Sequence, residues 1–509
     1  MISDLVLAID LGTGGPKVAL VDDTSALVGF SSRAVATTFA SDGRATQDPE
    51  EWWALIVEMS RRLLDDPSVA RRVRAVGVTG QYGSTVPVDA NARPTGPCLT
   101  WMDSRGGDFS RRAIGGLFLG YRARAALAFI RRSGGAPSPS GADPLGQILY
   151  LEGACPDVAS ASRWYLEPVD YLTMRLTGTA SATHASRLAL WMTDNRDLTR
   201  LRYDPVLLDL AGLSDERLAP LVPFGSVVGT LTTGVAEQLG LATSVVVATG
   251  IPDLHAAAVG AGATGLYDTY LALSTTSWIS CPVPAKKTDV VHSIASVPGL
   301  GDGHYLVINN QETGARALDW LRGQLAGAGS PVDVAQLTAL AATSPPGANG
   351  VRFNPWLAGE RSPVEDRRAR GGFVNLAVTT STSDVARAVL EGVAANSAWL
   401  FGHVERFVGR RLEPVRLIGG GAQSELWCQV IADSLNRAVV QVAQPLAAQL
   451  RGVAHVAASA TGAAHLVSPP SVDETTFEPI GANREIYESI TAELPRRFAR
   501  ERRWRRAKR

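Results

Sequence analysis

Lysine is scarce in this 509-residue chain: only Lys17, Lys286, Lys287 and Lys508 occur among 49 basic residues. The arginine excess reads as a codon-composition effect, and it makes a lysine at position 17 noticeable. Net charge is lacking too, because 49 acidic residues cancel the basic ones. That balance argues against a nucleic-acid binder working through bulk electrostatics. No uncharged apolar run reaches about eighteen residues, which argues against a membrane span. The apolar start at residues 5–10 stops at Asp10, with no basic flank before it and no small-residue cleavage pattern after it. It reads as a buried strand and not as a signal peptide. Cys98, Cys155, Cys281 and Cys428 form no CxxC pair, which fits reduced thiols in a cytoplasmic protein. The seven histidines show no metal-ligand spacing, so zinc is not expected. With 45% apolar and 19% charged residues, the chain is not a disordered one. Its length suits two to four domains, at roughly 100–200 residues each.

What is present alternates between strand and helix signals. Residues 5–10, the turn Gly12-Thr13-Gly14-Gly15-Pro16 and residues 17–21 predict a hairpin. Asp48-Pro49-Glu50-Glu51 opens a helix, with a cap, a proline at the first position and a glutamate placed for a capping box. Residues 73–79 and 84–88 read as strands. Residues 106–145 are rich in Arg, Gly and Ala and predict an exposed helix and loop, with a membrane-surface helix as the alternative. A second alternating block begins near residue 245. There, residues 269–273 and 278–279 flank Ser274-Thr275-Thr276-Ser277, a second hairpin of the same kind. Two such hairpins suggest a duplicated architecture. Residues 384–407 predict a long helix, followed by a strand at 415–418, three glycines and another helix. The run from 496 to 509 is basic and predicts a solvated helix end.

Four segments could carry chemistry. Asp10 to Lys17 puts a carboxylate at a strand end before a turn of small residues, then a hydroxyl and an ammonium. Such a turn lets phosphate oxygens reach backbone N–H groups, and Asp10 could hold Mg²⁺ directly or through water. An ordinary hairpin turn is the other reading. Asp253 follows an apolar strand and opens an Ala-rich helix, where it suits an N-cap or a proton acceptor in phosphoryl transfer. Gly419-Gly420-Gly421-Ala422 allows a flat ligand or phosphate near the backbone, or only tight strand–helix packing. Trp101-Met102-Asp103-Ser104-Arg105 offers a ring, a carboxylate and a guanidinium, the groups that bind sugars, or a surface loop with one buried Trp. His255 could line the pocket of Asp253. Gly260 to Gly265 matches GxGxxG but follows a helix-like stretch, so a dinucleotide site is not expected there.

Taken together and in order, these segments resemble the FGGY family of carbohydrate kinases over residues 5 to about 465. DLGTGGPK (10–17) is similar to the first phosphate loop, and GQYGSTVPVDANARPTGPCLTWMDSRG (80–106) to the sugar-binding stretch. EPVDYLTMRLTG (167–178) is similar to a family helix. TGIPDLHAAAVGAGA carries the position of the catalytic Asp, and STTS the second phosphate loop, with TGARALDWL (313–321) after it. NPWLAGERSPVEDRRARGGFVNL (354–376) and IGGGAQSELWCQVIAD (418–433) are the most specific matches.

The resemblance implies an α/β fold of two actin-like, ribonuclease-H-like domains with an interdomain cleft. Residues 1–244 would bind sugar, 245–475 would bind nucleotide, and 476–509 would form a C-terminal helix and basic tail. It implies ATP and Mg²⁺ as cofactors. Asp253 would be the catalytic base and Asp10 the metal residue. Thr13, Gly14, Lys17, Thr275 and Thr276 would border the phosphates, and Gly314, Gly420, Gly421 and Ala422 would line the nucleotide. Gln81, Tyr82, Trp101, Asp103, Asp253 and Leu254 would meet the sugar. A homodimer follows from the family pattern.

The simplest implied acceptor is a ketopentose such as D-xylulose. Another ketose, a tetritol, a pentitol or a glycerol-like polyol is the alternative. A sugar- or nucleotide-binding regulator without turnover, or an actin-like ATPase acting on proteins, is the rival from another class. The family members acting on D-xylulose carry Gln-Met-His-Gly where this chain has Gln81-Tyr82-Gly83-Ser84, and Asn where it has Leu254. The family's Gly-Thr-Ser is Ser274-Thr275-Thr276 here, and its Lys and Trp near position 147 are Gln147 and Tyr150.

Overall fold

The computed structural model describes residues 4–118, 120–301, 303–327, 332–462 and 474–507. Two sheets organise the chain. The first runs in the order Val227–Thr230, Val246–Ala248, Val73–Gly80, Leu5–Gly12, Gly15–Val21, Leu27–Ser32, with Ile251–Pro252 also on Val73–Gly80. The second runs Ser277–Ser280, Thr269–Leu273, Val415–Ile418, Val439–Gln441, Thr475–Phe477.

Each sheet is built on the same unit. In the first, Leu5–Gly12 pairs antiparallel with Gly15–Val21 and parallel with Val73–Gly80. In the second, Thr269–Leu273 pairs antiparallel with Ser277–Ser280 and parallel with Val415–Ile418. A continuous apolar run suits a central strand covered on both faces, and Leu5, Val6, Leu7, Ala8 and Ile9 are all buried. Each hairpin therefore presents its turn at the end of its sheet. The expected duplication is present, and the actin-like α/β architecture is borne out.

Local signals set the helices. Helix Pro49–Leu63 starts at Asp48, whose side chain accepts from the Glu50 N–H, and it buries Trp52, Trp53, Ile56 and Met59. Helix Thr382–Val408 has a capping box of Ser381 and Asp384 and stops at Gly409, which is left-handed with φ +77. Residues 107–132 contain helices Gly107–Ile114 and Ala123–Arg132. The tail forms helix Arg484–Ala507. Ahead of the basic run Tyr487, Ile490 and Leu494 enter the second core, and within it Phe498 does so as well, while Arg505 donates to Asp366 at 3.0 Å. Residues 508 and 509, with Lys508, lie outside the described residues.

Strand Val246–Ala248 opens the block expected from residue 245, yet it lies inside the first sheet beside Val73–Gly80. A division at 244/245 would cut that sheet. The pairing partner is about 170 residues away, so the local apolar run cannot reveal it. Helix Ala448–Ala460 likewise packs on the first sheet, with Val453, Ala454 and Ala457 against Val6, Ala8 and Ala75. It crosses helix Asp253–Gly260 closely. A Cβ on Gly260 would lie 1.7 Å from the Ala448 carbonyl, and one on Gly452 would lie 1.9 Å from that of Ala256. Only glycine fits either place.

Candidate active site

Register brings the first charges together. Asp10 sits opposite Thr79 on one side of Val73–Gly80, and Ile251 sits opposite Thr79 on the other. Both flanking strands run parallel to Val73–Gly80, so Asp10, Gln81 and Asp253 emerge at one end of the sheet. Asp10 is 4% exposed. Its Oδ2 accepts from Lys17 Nζ at 2.9 Å, across the hairpin register. The Asp10 carboxylate holds the Lys17 ammonium above its ordinary pKa.

Asp253 is the first residue of its helix, and Pro252 occupies the cap position. Its Oδ1 accepts from the Leu254 N–H at 2.7 Å. Burial and the Asp10 charge push its carboxyl up to about 7, against the pull of that N–H and of Lys17. A carboxylate poised near neutrality can take a proton from an alcohol.

The first turn leaves room for a ligand. Gly14 is exposed, and no atom lies within 4 Å of where its Cβ would be. Gly15 has φ +128, with the Arg33 carbonyl 2.1 Å from the Cβ position, so only glycine closes the turn. The second turn is held by backbone bonds. Ser274 N donates to Thr276 O at 3.0 Å, Gly314 N to Thr275 O at 3.0 Å, and Ala315 N to Ser274 O at 2.6 Å. Gly419 has φ +94 and packs against the Leu273 carbonyl. Thus Gly314, Thr275, Thr276 and the 419–421 turn meet in one place.

Gly420 is half-buried there, whereas Gly421 and Ala422 turn inward. Gly421 faces the Leu273 side chain. The Ala422 carbonyl accepts from Gln441 Nε2 at 2.6 Å.

The sugar-stretch residues divide. Gln81 is 4% exposed and Trp101 39% exposed. Tyr82 packs beside Leu254, Tyr270 and Trp278. Burial and the nearby Asp253 charge raise the Tyr82 phenol pKa.

Asp103 does not present itself as expected. It is wholly buried. Its oxygens accept from Arg105 Nη2 at 2.7 Å, from Ala45 N at 3.0 Å and from Arg105 N at 3.1 Å. It holds Arg105, whose guanidinium lies 4.7 Å over the Tyr150 ring. Leu254 is buried in the apolar cluster of Ala257, Ala258 and Ala261, against which Tyr82 packs. His255 is buried with Nε2 on the Pro298 carbonyl at 2.8 Å, on the Phe224 side.

Three buried residues that shape this site are not among the expected site residues. Gln147 donates to the carbonyls of Gly83 and Thr100 at 3.2 and 2.9 Å, tying two sugar-stretch loops together. Glu167 accepts from Ser84 N at 3.1 Å, and burial pushes its carboxyl up to about 8. Gln47 donates to the Thr13 carbonyl at 2.8 Å. Only long-range contact reveals these roles. Among the described residues, no group of three or more His, Cys, Asp or Glu is placed to hold a metal. None of the described helices is long and apolar enough to cross a membrane.

Comparison with known proteins agrees with this geometry. The model of the FGGY family of carbohydrate kinases, N-terminal domain, matches residues 5–260, and that of the C-terminal domain matches residues 274–461. The chain is 27% identical over 500 residues to a xylulose kinase of Staphylococcus epidermidis, covering 96% of this chain and 95% of the relative. It is 25% identical over 444 residues to a gluconokinase of Bacillus subtilis, covering 86% and 83%. The crystal structure of xylulose kinase from Rhodospirillum rubrum is similar with a TM-score of 0.82, at 26% identity, over 98% of this chain and 99% of that one. With both domain models matched in order along a fold organised by two large sheets, this chain belongs to the FGGY family of carbohydrate kinases and is an ATP-using sugar kinase.

Proposed function

We propose that this kinase transfers the γ-phosphoryl group of ATP to a hydroxyl of a small sugar, most simply the ketopentose D-xylulose. The observation that carries the reading is Asp253, with its pKa near 7, beside Asp10 and Lys17 at the end of the first sheet. Asp253 takes the proton of the attacking hydroxyl. Gly14 offers its open backbone to phosphate, and Thr13 and Lys17 stand on either side of it. Thr275 and Thr276 border the phosphates from the second hairpin, and Gly314 and Gly420 face the nucleotide. Gln81, Tyr82 and Trp101 form the sugar side. The first half thus serves the sugar and the second the nucleotide.

Two carboxylates, Asp10 and Asp253, stand against the single ammonium of Lys17, a donor set that fits a hard divalent cation. Mg²⁺ bound at Asp10 would neutralise charge on the transferred phosphoryl group.

Xylulose kinases among the relatives and in the solved structures support the ketopentose. A gluconokinase at comparable identity favours a second acceptor class, an aldonate such as D-gluconate. The test is ADP release with MgATP across D-xylulose, D-gluconate, glycerol and ribitol, with Asp253→Ala as control. D-xylulose-dependent turnover that vanishes in the control is expected. Turnover on another member of the panel alone would move the acceptor and keep the chemistry. No turnover on any of them would remove the reading. A homodimer completes the proposal, and a monomer mass by light scattering would exclude it.

A further inference from the structure

Four polar side chains connect the first phosphate turn to the sugar stretch. Gln47 ends the short strand Ala45–Gln47 and is 3% exposed. Its Nε2 donates to the Thr13 carbonyl at 2.8 Å and to Thr37 Oγ1 at 3.0 Å. Gln81 Nε2 donates to Gln47 Oε1 at 3.3 Å. Thr13 Oγ1 donates to Gln81 Oε1 at 3.0 Å, and Trp101 Nε1 donates to Thr13 Oγ1 at 3.0 Å.

Two fixed groups set the direction of every bond. The Thr13 carbonyl can only accept, so Gln47 turns its NH₂ toward it and its own carbonyl toward Gln81. Gln81 must then give its NH₂ to Gln47 and its carbonyl to Thr13. The indole N–H can only donate, so it takes a lone pair of Thr13 Oγ1. The single hydroxyl proton of Thr13 is left for Gln81.

Phosphate oxygens at neutral pH accept hydrogen bonds. Thr13 serves them only when its O–H turns away from Gln81. A sugar hydroxyl donating to the second lone pair of Gln81 Oε1 shares that acceptor and weakens its bond from Thr13, so the Thr13 proton turns more readily to phosphate. We propose that Trp101, Thr13, Gln81 and Gln47 form a hydroxyl relay in which sugar occupancy redirects the Thr13 proton to the phosphate, with Gln47 as a positioning residue that sets the polarity of Gln81. This rests on Gln81 meeting the sugar and Thr13 the phosphate, as proposed above. The relay couples the two substrates and holds back ATP hydrolysis while the sugar site is empty.

The test measures the affinity of Mg·AMP-PNP with and without the panel sugar that is turned over fastest, together with sugar-independent ATP hydrolysis. In the native enzyme the sugar should tighten AMP-PNP by at least about fivefold, the lower end of ordinary coupling. Gln47→Leu frees the Gln81 amide to flip, and Trp101→Phe keeps a ring but removes the donor. Each should reduce the coupling below about twofold and raise sugar-independent hydrolysis several-fold. If Gln47→Leu does not fold, Trp101→Phe carries the same readout. Variants in which both affinities weaken by one common factor, leaving the coupling ratio intact, would show a merely structural role and overturn the relay. Native turnover without any sugar effect on AMP-PNP would overturn it as well. Absence of turnover on every sugar would instead remove the reading beneath it, and the relay with it.

Discussion

The two hairpins share one scaffold and use it differently. Both place a tight turn at the end of a strand that is paired antiparallel on one side and parallel on the other. The first turn is flanked by an ion pair, Asp10 with Lys17, and joined by side chains to Gln47, Gln81 and Trp101. The second has no ionisable group among Ser274, Thr275 and Thr276 and is fixed by backbone bonds to Gly314 and Ala315. Duplication supplies geometry, and the charge sits on one copy. At the first turn burial and the neighbouring Asp10 charge raise the Asp253 pKa while Lys17 pulls it down, and the uncharged second turn has no counterpart.

The largest expected effect falls on the charged side. Asp253→Asn should lower kcat by about 10³-fold, within the usual range for a general base, while AMP-PNP binding measured by calorimetry stays within about threefold. Retained turnover would mean that the second hairpin contributes more than the comparison allows.

Next comes a matched pair of loop variants. Lys17→Met should reduce kcat/KM on the order of 100-fold, as loss of a charged donor at a phosphoryl group does. Thr276→Val should cost about tenfold, since a neutral hydrogen bond has roughly half the strength of a charge-assisted one. Equal losses in steady-state assays would erase the distinction between the hairpins.

Smaller still are the backbone effects, and here the order reverses. Gly419→Ala meets both φ +94 and the Leu273 carbonyl 2.7 Å from its Cβ. It should cost about 1–3 kcal/mol, seen as a lower Tm. Gly14→Ala enters open space and should leave Tm within about a degree. A comparable loss at both would mean that the first turn is also set by its backbone alone.

The smallest effect concerns pH. The native Asp253 carboxyl sits at about 7 against an ordinary 3.8, so the folded state binds its proton more tightly than the unfolded chain. Ionising it in the fold therefore costs stability as pH rises from about 4 to 7, and the full cost stands above 7. Asp253→Asn escapes that cost. Its Tm should exceed the native one by a few degrees at pH 8 and by little at pH 5. A pH-independent difference would show that burial and Asp10 do not raise the Asp253 carboxyl.

Much of this was legible from local signals. The Ser381–Asp384 box and Gly409 mark both ends of helix Thr382–Val408, and Gly15 and Pro16 mark the first turn. Asp253 was readable as a strand-to-helix carboxylate because both flanking elements are strongly patterned. Asp103 was misread because a carboxylate beside a tryptophan suits a sugar equally well, and burial alone shows that Arg105 and the Ala45 N–H occupy its oxygens. His255 was read beside the acceptor because it lies near Asp253 in sequence, yet successive helix residues point about 100° apart.

By itself the sequence determined the strands, the helix caps, the glycine turns and the order of motifs, since these depend on residues within a few positions of one another. Only the tertiary structure decided that strand Val246–Ala248 joins the first sheet, that Gln47 reaches Thr13, and that Asp10 raises the pKa of Asp253. Each of those depends on side chains or strands brought together from distant parts of the chain. Pairing, burial and electrostatic field are properties of that assembled neighbourhood, which no local window contains.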